Sequence, residues 1–286
     1  MRLAERTGGA VINADSAQIY RDLPILSAAP SEADLQRAEH LLYGIRDGAD
    51  PCSAADWAAL AKTEIERLHG HGRLPILVGG TGLYLRTLLD GIAPVPAIDP
   101  EIRAEVRAAG VAENLAALAP LDPVAAATLN PGDTTRIARA LEVVWSTGKT
   151  LAYWQQRREG GIGKGIELRA LILLPARGWL YERCDRRFAA MVEHGALDEV
   201  EQLLARDLDP ELPVMRAIGV RELGAHRRGE LSLDQAITAG QLATRQYAKR
   251  QYTWFAHQPP PDWLRFDEPM EGEAFDRALA LLELRE

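Results

Sequence analysis

Cysteine is nearly absent: Cys52 and Cys184 are the two among 286 residues. Two thiols in helix-like or pre-helix contexts make no disulfide framework, so a reduced, cytoplasmic protein is expected. No apolar run is long enough to span a bilayer and the first residues do not read as a signal peptide, so no membrane partner is expected. His40, His69, His71 and His257 lack metal-ligand spacing with cysteines or carboxylates, and no metal site built from protein ligands is expected. There is no G-x-S-x-G, which removes the serine-elbow hydrolases. A positive excess is also missing: 33 Lys and Arg face 41 Asp and Glu, for a net charge of −8. That total argues weakly against nucleic acid, but a phosphate-bearing partner needs local rather than total positive charge. What is present, 47% hydrophobic and 26% charged residues, suits one large or two smaller globular domains.

The organising stretch is Ala10-Val11-Ile12-Asn13-Ala14-Asp15-Ser16. An apolar strand over 10–14 follows Gly8-Gly9 and stops where polar residues begin. Ligands of open α/β sheets bind beyond the carboxyl ends of strands, which makes Asp15 a candidate base; capping the next segment is the plain alternative. Met1 to Arg6 reads as the end of an amphipathic helix, closed by Gly8-Gly9, and implies an earlier strand and loop.

Further along, Pro24 to Pro30 reads as loop and His40 to Ile45 as a short strand. Ser53 and Asp56 form a capping-box pattern for a helix to Gly70. Leu74 to Val78 reads as a second buried strand, breaking into Gly79-Gly80-Thr81-Gly82 and a helix from Leu83 to Asp90. Pro94, Pro96 and Pro100 mark a boundary. Helices opened by Asp99-Pro100, Asp122-Pro123 and Asp133 follow, the last ending at Gly148, and a loop runs from Gly160 to Gly165. We read 93–166 as an all-helical insertion into a core made of 1–92 and 167–286. In the second part of the core, Leu168–Leu174 is expected as a third buried strand. Helices are expected over Trp179–His194, Leu197–Arg206, Val214–Arg227 and Ser232–His257, with a final edge strand over Trp263–Phe266. Strands alternating with helices define an α/β fold with a largely parallel sheet.

Chemistry concentrates at a few places. Gly79-Gly80-Thr81-Gly82 lies between a strand and a helix, where glycines and N–H groups admit a phosphate and Thr81 adds a hydroxyl; a plain tight turn is the alternative. Thr147-Gly148-Lys149-Thr150 imitates a Walker A ending, but its first glycine would fall at Val143 and it follows a helix, so it reads as a helix cap. Arg187 sits beside the stripe Leu180, Cys184, Phe188, Met191, either paired or reaching a ligand. Arg136 and Arg139 share a helix face, and Arg216 and Arg221 flank Gly219. Arg245, Lys249 and Arg250 interleave with Tyr247, Tyr252 and Trp254, a mixture suited to an RNA backbone and an exposed base.

Four stretches, in order, resemble the tRNA dimethylallyltransferase family: Asn13 to Tyr20, Leu74 to Tyr84, Arg216 to Gly219, and Tyr247 to Phe255. The resemblance implies a P-loop-like, nucleotide-binding class of α/β fold with a helical insertion. It further implies transfer of a dimethylallyl group from dimethylallyl diphosphate to N6 of adenine 37 of tRNA, with Mg²⁺, by a cytoplasmic monomer. By the same resemblance, Asp15 matches the general base, Thr81 the residue beside the diphosphate, and Arg187 the arginine on the leaving diphosphate. Contacts with tRNA are implied for Asp15, Ser16, Ala17, Gln18, Thr81 and Arg103, and for Thr135, Arg136, Ile137, Ala138 and Arg139. They are implied also for Arg216, Ala217, Ile218, Gly219, Val220 and Arg221, and for Lys249, Arg250, Gln251, Tyr252, Thr253 and Trp254.

The family pattern begins with a strand and a Gly-x-x-x-x-Gly-Lys-Ser/Thr loop, and no such loop occurs in these residues. The expectation is that Met1 is an internal start and that the sheet lacks a central strand. Three other readings are a prenyltransferase of free adenine nucleotides, an RNA-binding chain without transfer, and a small-molecule P-loop kinase. The last needs the loop that is not there. A small acceptor needs neither the insertion nor the basic aromatic segment.

Overall fold

The computed structural model describes residues 1–283. These form two compact units, one of residues 1–87 with the described residues from 165 onward and one of residues 88–164.

In the first unit, helix α1 (Arg2–Thr7) closes on Gly8 at φ +65° and leads into β1 (Ala10–Asn13). All four residues of β1 are buried, which an apolar strand in the middle of a parallel sheet requires. A short helix α2 (Glu32–Arg37) precedes β2 (Glu39–Leu41); helix α3 (Ala54–Gly70) precedes β3 (Pro75–Val78) and α4 (Gly82–Asp90). The sheet order is β2-β1-β3, all parallel, with Val11 opposite both His40 and Ile76. Gly9 admits the entry of β1, since a Cβ there would stand 2.6 Å from the Leu74 carbonyl oxygen.

Several expectations need correction here. The second strand ends at Leu41, not Ile45, because Leu42 turns to φ +63°. Strand β3 is not buried: Leu74 and Val78 are 45% and 49% exposed, because β3 pairs with β1 along one edge only. Helix α2 escaped notice because it buries no residue, so periodicity gave no signal; its Ser31–Asp34 capping box carries the N-terminus.

The second unit opens with β4 (Gly91–Ile92) and contains α5 (Pro100–Ala108), α6 (Val111–Leu118), α7 (Pro123–Thr128), α8 (Thr134–Thr147), α9 (Leu151–Gln155) and β5 (Glu159–Gly160). Asp99, Asp122 and Asp133 cap α5, α7 and α8 through backbone N–H groups, as their positions before these helices suggest. Val106, Leu118, Ile137, Leu141 and Val144 make its core. It is not all-helical: β4 and β5 form an antiparallel ribbon, with Gly91 opposite Gly160. A Cβ on Gly91 would fall 2.3 Å from the Glu159 carbonyl oxygen, so the glycines serve this close pairing.

The chain returns to the first unit with β6 (Leu171–Leu173), α10 (Arg177–Glu193), α11 (Ala196–Leu204), a 3₁₀ turn over Pro213–Arg216, α12 (Val220–Arg227), α13 (Leu233–His257), β7 (Leu264–Phe266) and α14 (Ala274–Glu283). Strand β6 pairs in parallel with β7 and not with β3, so the parallel strands fall into two sheets rather than one. Within β6 only Ile172 is buried. The single helix expected over Val214–Arg227 is two pieces. Gly219, at φ +98°, breaks it, and the Glu222 carboxylate accepts the Gly219 N–H at 2.9 Å to start α12. Helices α10 and α13 run antiparallel, with Arg177 over Tyr252 at one end and Gly240 on Phe188 at the other. A Cβ on Gly240 would lie 2.1 Å from the Phe188 ring, so this crossing demands glycine.

Candidate active site

The site is assembled where β1 ends. Asn13, fully buried, fixes the exit of the chain. Its side-chain oxygen accepts the Asp15 N–H at 2.7 Å, and its amide donates to the Asp15 and Leu42 carbonyls, each at 3.0 Å. Its backbone oxygen accepts the Trp57 indole N–H at 2.8 Å. The backbone carrying Asp15 is therefore held from the turn after β2 and from α3 at once. One Asp15 carboxylate oxygen accepts the Ala17 N–H at 2.8 Å. The other has no hydrogen-bond partner among the described residues. The local capping expected as the plain alternative is thus present, and it occupies one oxygen only.

The glycine-rich turn crosses this exit. The Thr81 N–H donates to the Ala14 carbonyl at 3.2 Å, and its hydroxyl accepts the Ser16 N–H at 2.9 Å. A Cβ on Gly79 would lie 2.2 Å from Ala14 backbone, one on Gly80 2.0 Å from the Gln251 amide, and one on Gly82 2.5 Å from the Trp254 ring. The glycines thus admit the chain's own strand and helix, where a ligand's approach was expected. Gln251 seals the crossing by donating to the Gly80 carbonyl at 3.0 Å. The phenol of Tyr247 interacts with both Thr81 and Gln251.

Three tyrosines lie close enough to Asp15 to feel its charge. Burial, and then the Asp15 charge, push Tyr43 up to about 12; burial raises Tyr84 and Tyr247 as well, again with the Asp15 charge among the causes. Tyr84 stacks on Trp57 with ring centres 4.6 Å apart. All three phenols stay neutral near neutral pH, so Asp15 faces no second anion among them.

The other predicted residues are distributed as follows. Gln18 turns back to the 24–30 loop, donating to the Ser27 and Ala28 carbonyls at 3.0 and 2.8 Å. Arg187 is exposed on α10 near Cys184, with no ion pair among the described residues; its neighbour Asp185 is taken by Arg245 at 2.5 Å. Lys249, Arg250 and Thr253 are exposed, Arg250 lies over the Tyr247 ring at 5.5 Å, and Tyr252 is covered by Arg177. Arg216 and Arg221 are exposed and Val220 is buried. Ala217 and Ile218 are half-buried, beside Gly219, which backs onto Leu26 and Phe188. In the second unit Arg103, Thr135 and Arg136 are exposed and Arg139 half-buried. Ile137 and Ala138 turn their side chains into that unit's core, so neither side chain reaches a surface partner. Asn13 and Tyr247 were missed as positioning groups. The signal for Asn13 was a polar residue closing an apolar strand; for Tyr247 there was only its place in the basic aromatic segment.

A carboxylate delivered by a parallel strand to a glycine-rich turn, beneath a basic aromatic helix, marks an α/β transferase. Residues 18–258 match the model of the family described as IPP transferase. A tRNA dimethylallyltransferase of Erythrobacter litoralis is 62% identical over 257 residues, covering 90% of this chain and 81% of that protein. Among solved structures, the tRNA isopentenylpyrophosphate transferase of Bacillus halodurans is 32% identical with a TM-score of 0.69, over 99% of this chain and 91% of that one. A eukaryotic dimethylallyltransferase acting on tRNA gives a TM-score of 0.81 at 27% identity, over 98% of this chain and 73% of that one. The chain belongs to the IPP transferase family.

Proposed function

We propose that this chain is a tRNA dimethylallyltransferase, moving the dimethylallyl group of dimethylallyl diphosphate to N6 of adenine 37. The observation that carries the reading is Asp15: an anchored backbone, one oxygen held by Ala17 and one left to accept a proton. The exocyclic amine becomes acidic only as it bonds to carbon, so a carboxylate has to be waiting within hydrogen-bond reach. In the step, the N6–carbon bond forms and the donor's carbon–oxygen bond breaks. Diphosphate leaves with the bonding electrons, and the N6 proton passes to Asp15. The Thr81 hydroxyl, fixed on Ser16 next to Asp15 in the chain, suits the oxygens of the diphosphate, and the Arg187 guanidinium, with no ion pair among the described residues, is available to the charge growing there. The buried Tyr84 and the half-buried Tyr43 and Tyr247 exclude water that would otherwise capture the allylic carbon. The adenine must leave its stack to reach Asp15, and the exposed Lys249 and Arg250 with Tyr247 suit a splayed RNA strand.

Among the described residues no group of three or more His, Cys, Asp or Glu is placed to hold a metal. The Ser16 and Thr81 hydroxyls, 3.3 Å apart, are hard oxygen donors next to the segment that carries Asp15, which fits a Mg²⁺ that keeps its waters and travels on the diphosphate. When bound, such an ion would neutralise the leaving group's charge.

The test compares AMP with an adenine-37 stem-loop as acceptor, with the chain alone and with a Gly-x-x-x-x-Gly-Lys-Ser/Thr strand and loop fused ahead of Met1. Alkylation of the stem-loop and not of AMP is the expected result. Alkylation of AMP at an equal rate moves the reading to free nucleotides. Salt-sensitive tRNA binding with no transfer in either version makes the chain an RNA binder only.

A further inference from the structure

The refused Walker look-alike, Thr147-Gly148-Lys149-Thr150, has work of its own in the second unit. Gly148 closes α8 at φ +67° and Thr150 caps α9 through the Tyr153 N–H at 3.2 Å. The Thr147 hydroxyl accepts the Trp154 indole N–H at 3.1 Å, which fixes that ring. Tyr153 meets Trp154 nearly at right angles, ring centres 5.5 Å apart, and Lys149 lies over the Tyr153 face at 5.3 Å. These rings and Pro94, Arg157 and Glu159 line a cavity of about 190 Å³ between α9 and the β4–β5 ribbon. Its size is below the several hundred Å³ of a drug-sized site and suits a single planar ring system. Neither the Arg157 guanidinium nor the Glu159 carboxylate has a side-chain partner among the described residues, and Tyr153 is 47% exposed.

We propose that this aromatic corner holds one unpaired nucleobase of the bound RNA. The base stacks on one ring and abuts the other. Arg157 and Lys149 face the flanking phosphates, and Glu159 accepts from an exocyclic amine. The proposal rests on the tRNA reading and deepens it with a second base contact, separate from the reactive adenine.

The test needs no catalysis. tRNA binding by the chain is measured by fluorescence anisotropy for the parent, Tyr153→Phe, Tyr153→Ala and Arg157→Ala. Each unpaired nucleotide is then replaced in turn by an abasic one. Loss of one stacking contact predicts that Tyr153→Ala binds about 5- to 150-fold more weakly while Tyr153→Phe binds as the parent does. At one nucleotide, abasic replacement should weaken the parent and leave Tyr153→Ala unaffected. Arg157→Ala should lower the salt slope by about one, which Tyr153→Ala should not. Parent-like binding by Tyr153→Ala, or an equal penalty from every abasic site in both proteins, overturns the proposal and leaves the tRNA reading standing. No tRNA binding by the parent overturns both.

Discussion

The hydroxyl of Thr81 accepts the Ser16 N–H at 2.9 Å and lies 3.3 Å from the Ser16 hydroxyl, tying the glycine-rich turn to the segment that carries Asp15. A carboxylate and a glycine-rich turn that arrive on different strands are thereby set in one geometry. Replacing Thr81 by Val leaves the Ser16 N–H without its acceptor. We expect a loss of about 1–2 kcal/mol in urea unfolding, and a fall in transfer larger than that figure explains. Thr81→Ser should keep most of both.

Gly82 lies under Trp254, and a Cβ there would stand 2.5 Å from the indole. Gly82→Ala must push the ring aside, at a cost of about 1–3 kcal/mol in thermal or urea unfolding, together with weaker tRNA binding. Gly80→Ala meets only the tip of Gln251, which can swing away, so it should cost less even with the shorter ideal contact. The reverse order of the two variants would contradict this account of the turn.

Arg187 is exposed and has no ion pair among the described residues. Arg187→Ala should therefore leave stability within about 0.5 kcal/mol of the parent while lowering transfer by about 100-fold or more. Unchanged kinetics in the dimethylallyl donor would return Arg187 to an ordinary surface residue.

The tyrosines around Asp15 predict alkaline behaviour. Tyr43 is raised by burial, and then by the Asp15 charge, from its ordinary 10.0 to about 12. Between those values the unfolded chain has released the phenolic proton and the fold still holds it. Stability is therefore full below the lower value and falls as pH rises towards the upper one. Tyr43→Phe should flatten that part of the curve measured by denaturant unfolding. Tyr20, Tyr84 and Tyr247, shifted the same way, should keep part of the slope.

What the sequence made legible was mostly local. The Ser53–Asp56 capping box, the αL stop at Gly148 and the apolar run of β1 each depend on a few consecutive residues, and all are present. What it hid was set by distant partners. The glycines of the turn suggested a ligand, yet they meet Gln251 and Trp254, about 170 residues away. Gly219 looked like a mid-helix residue, but it takes φ +98° where an added Cβ would meet Leu26 and Phe188, distant in sequence. The exposure of β3 follows from which strands pair, and no pattern within Leu74–Val78 encodes that. Ile137 and Ala138 lay within a stretch matched to RNA contact, but helical spacing alone places them on the apolar face with Leu141.

The most direct measurement is single-turnover transfer to an adenine-37 stem-loop by Asp15→Asn, in the version fused to the phosphate loop, alongside tRNA affinity. Asn keeps the acceptor for the Ala17 N–H and cannot take up the amine's proton. The account predicts that transfer falls by about 100-fold or more while affinity stays within a few-fold of the parent. Turnover equal to the parent's would show that the proton leaves N6 by another route and would remove Asp15 from the centre of the mechanism.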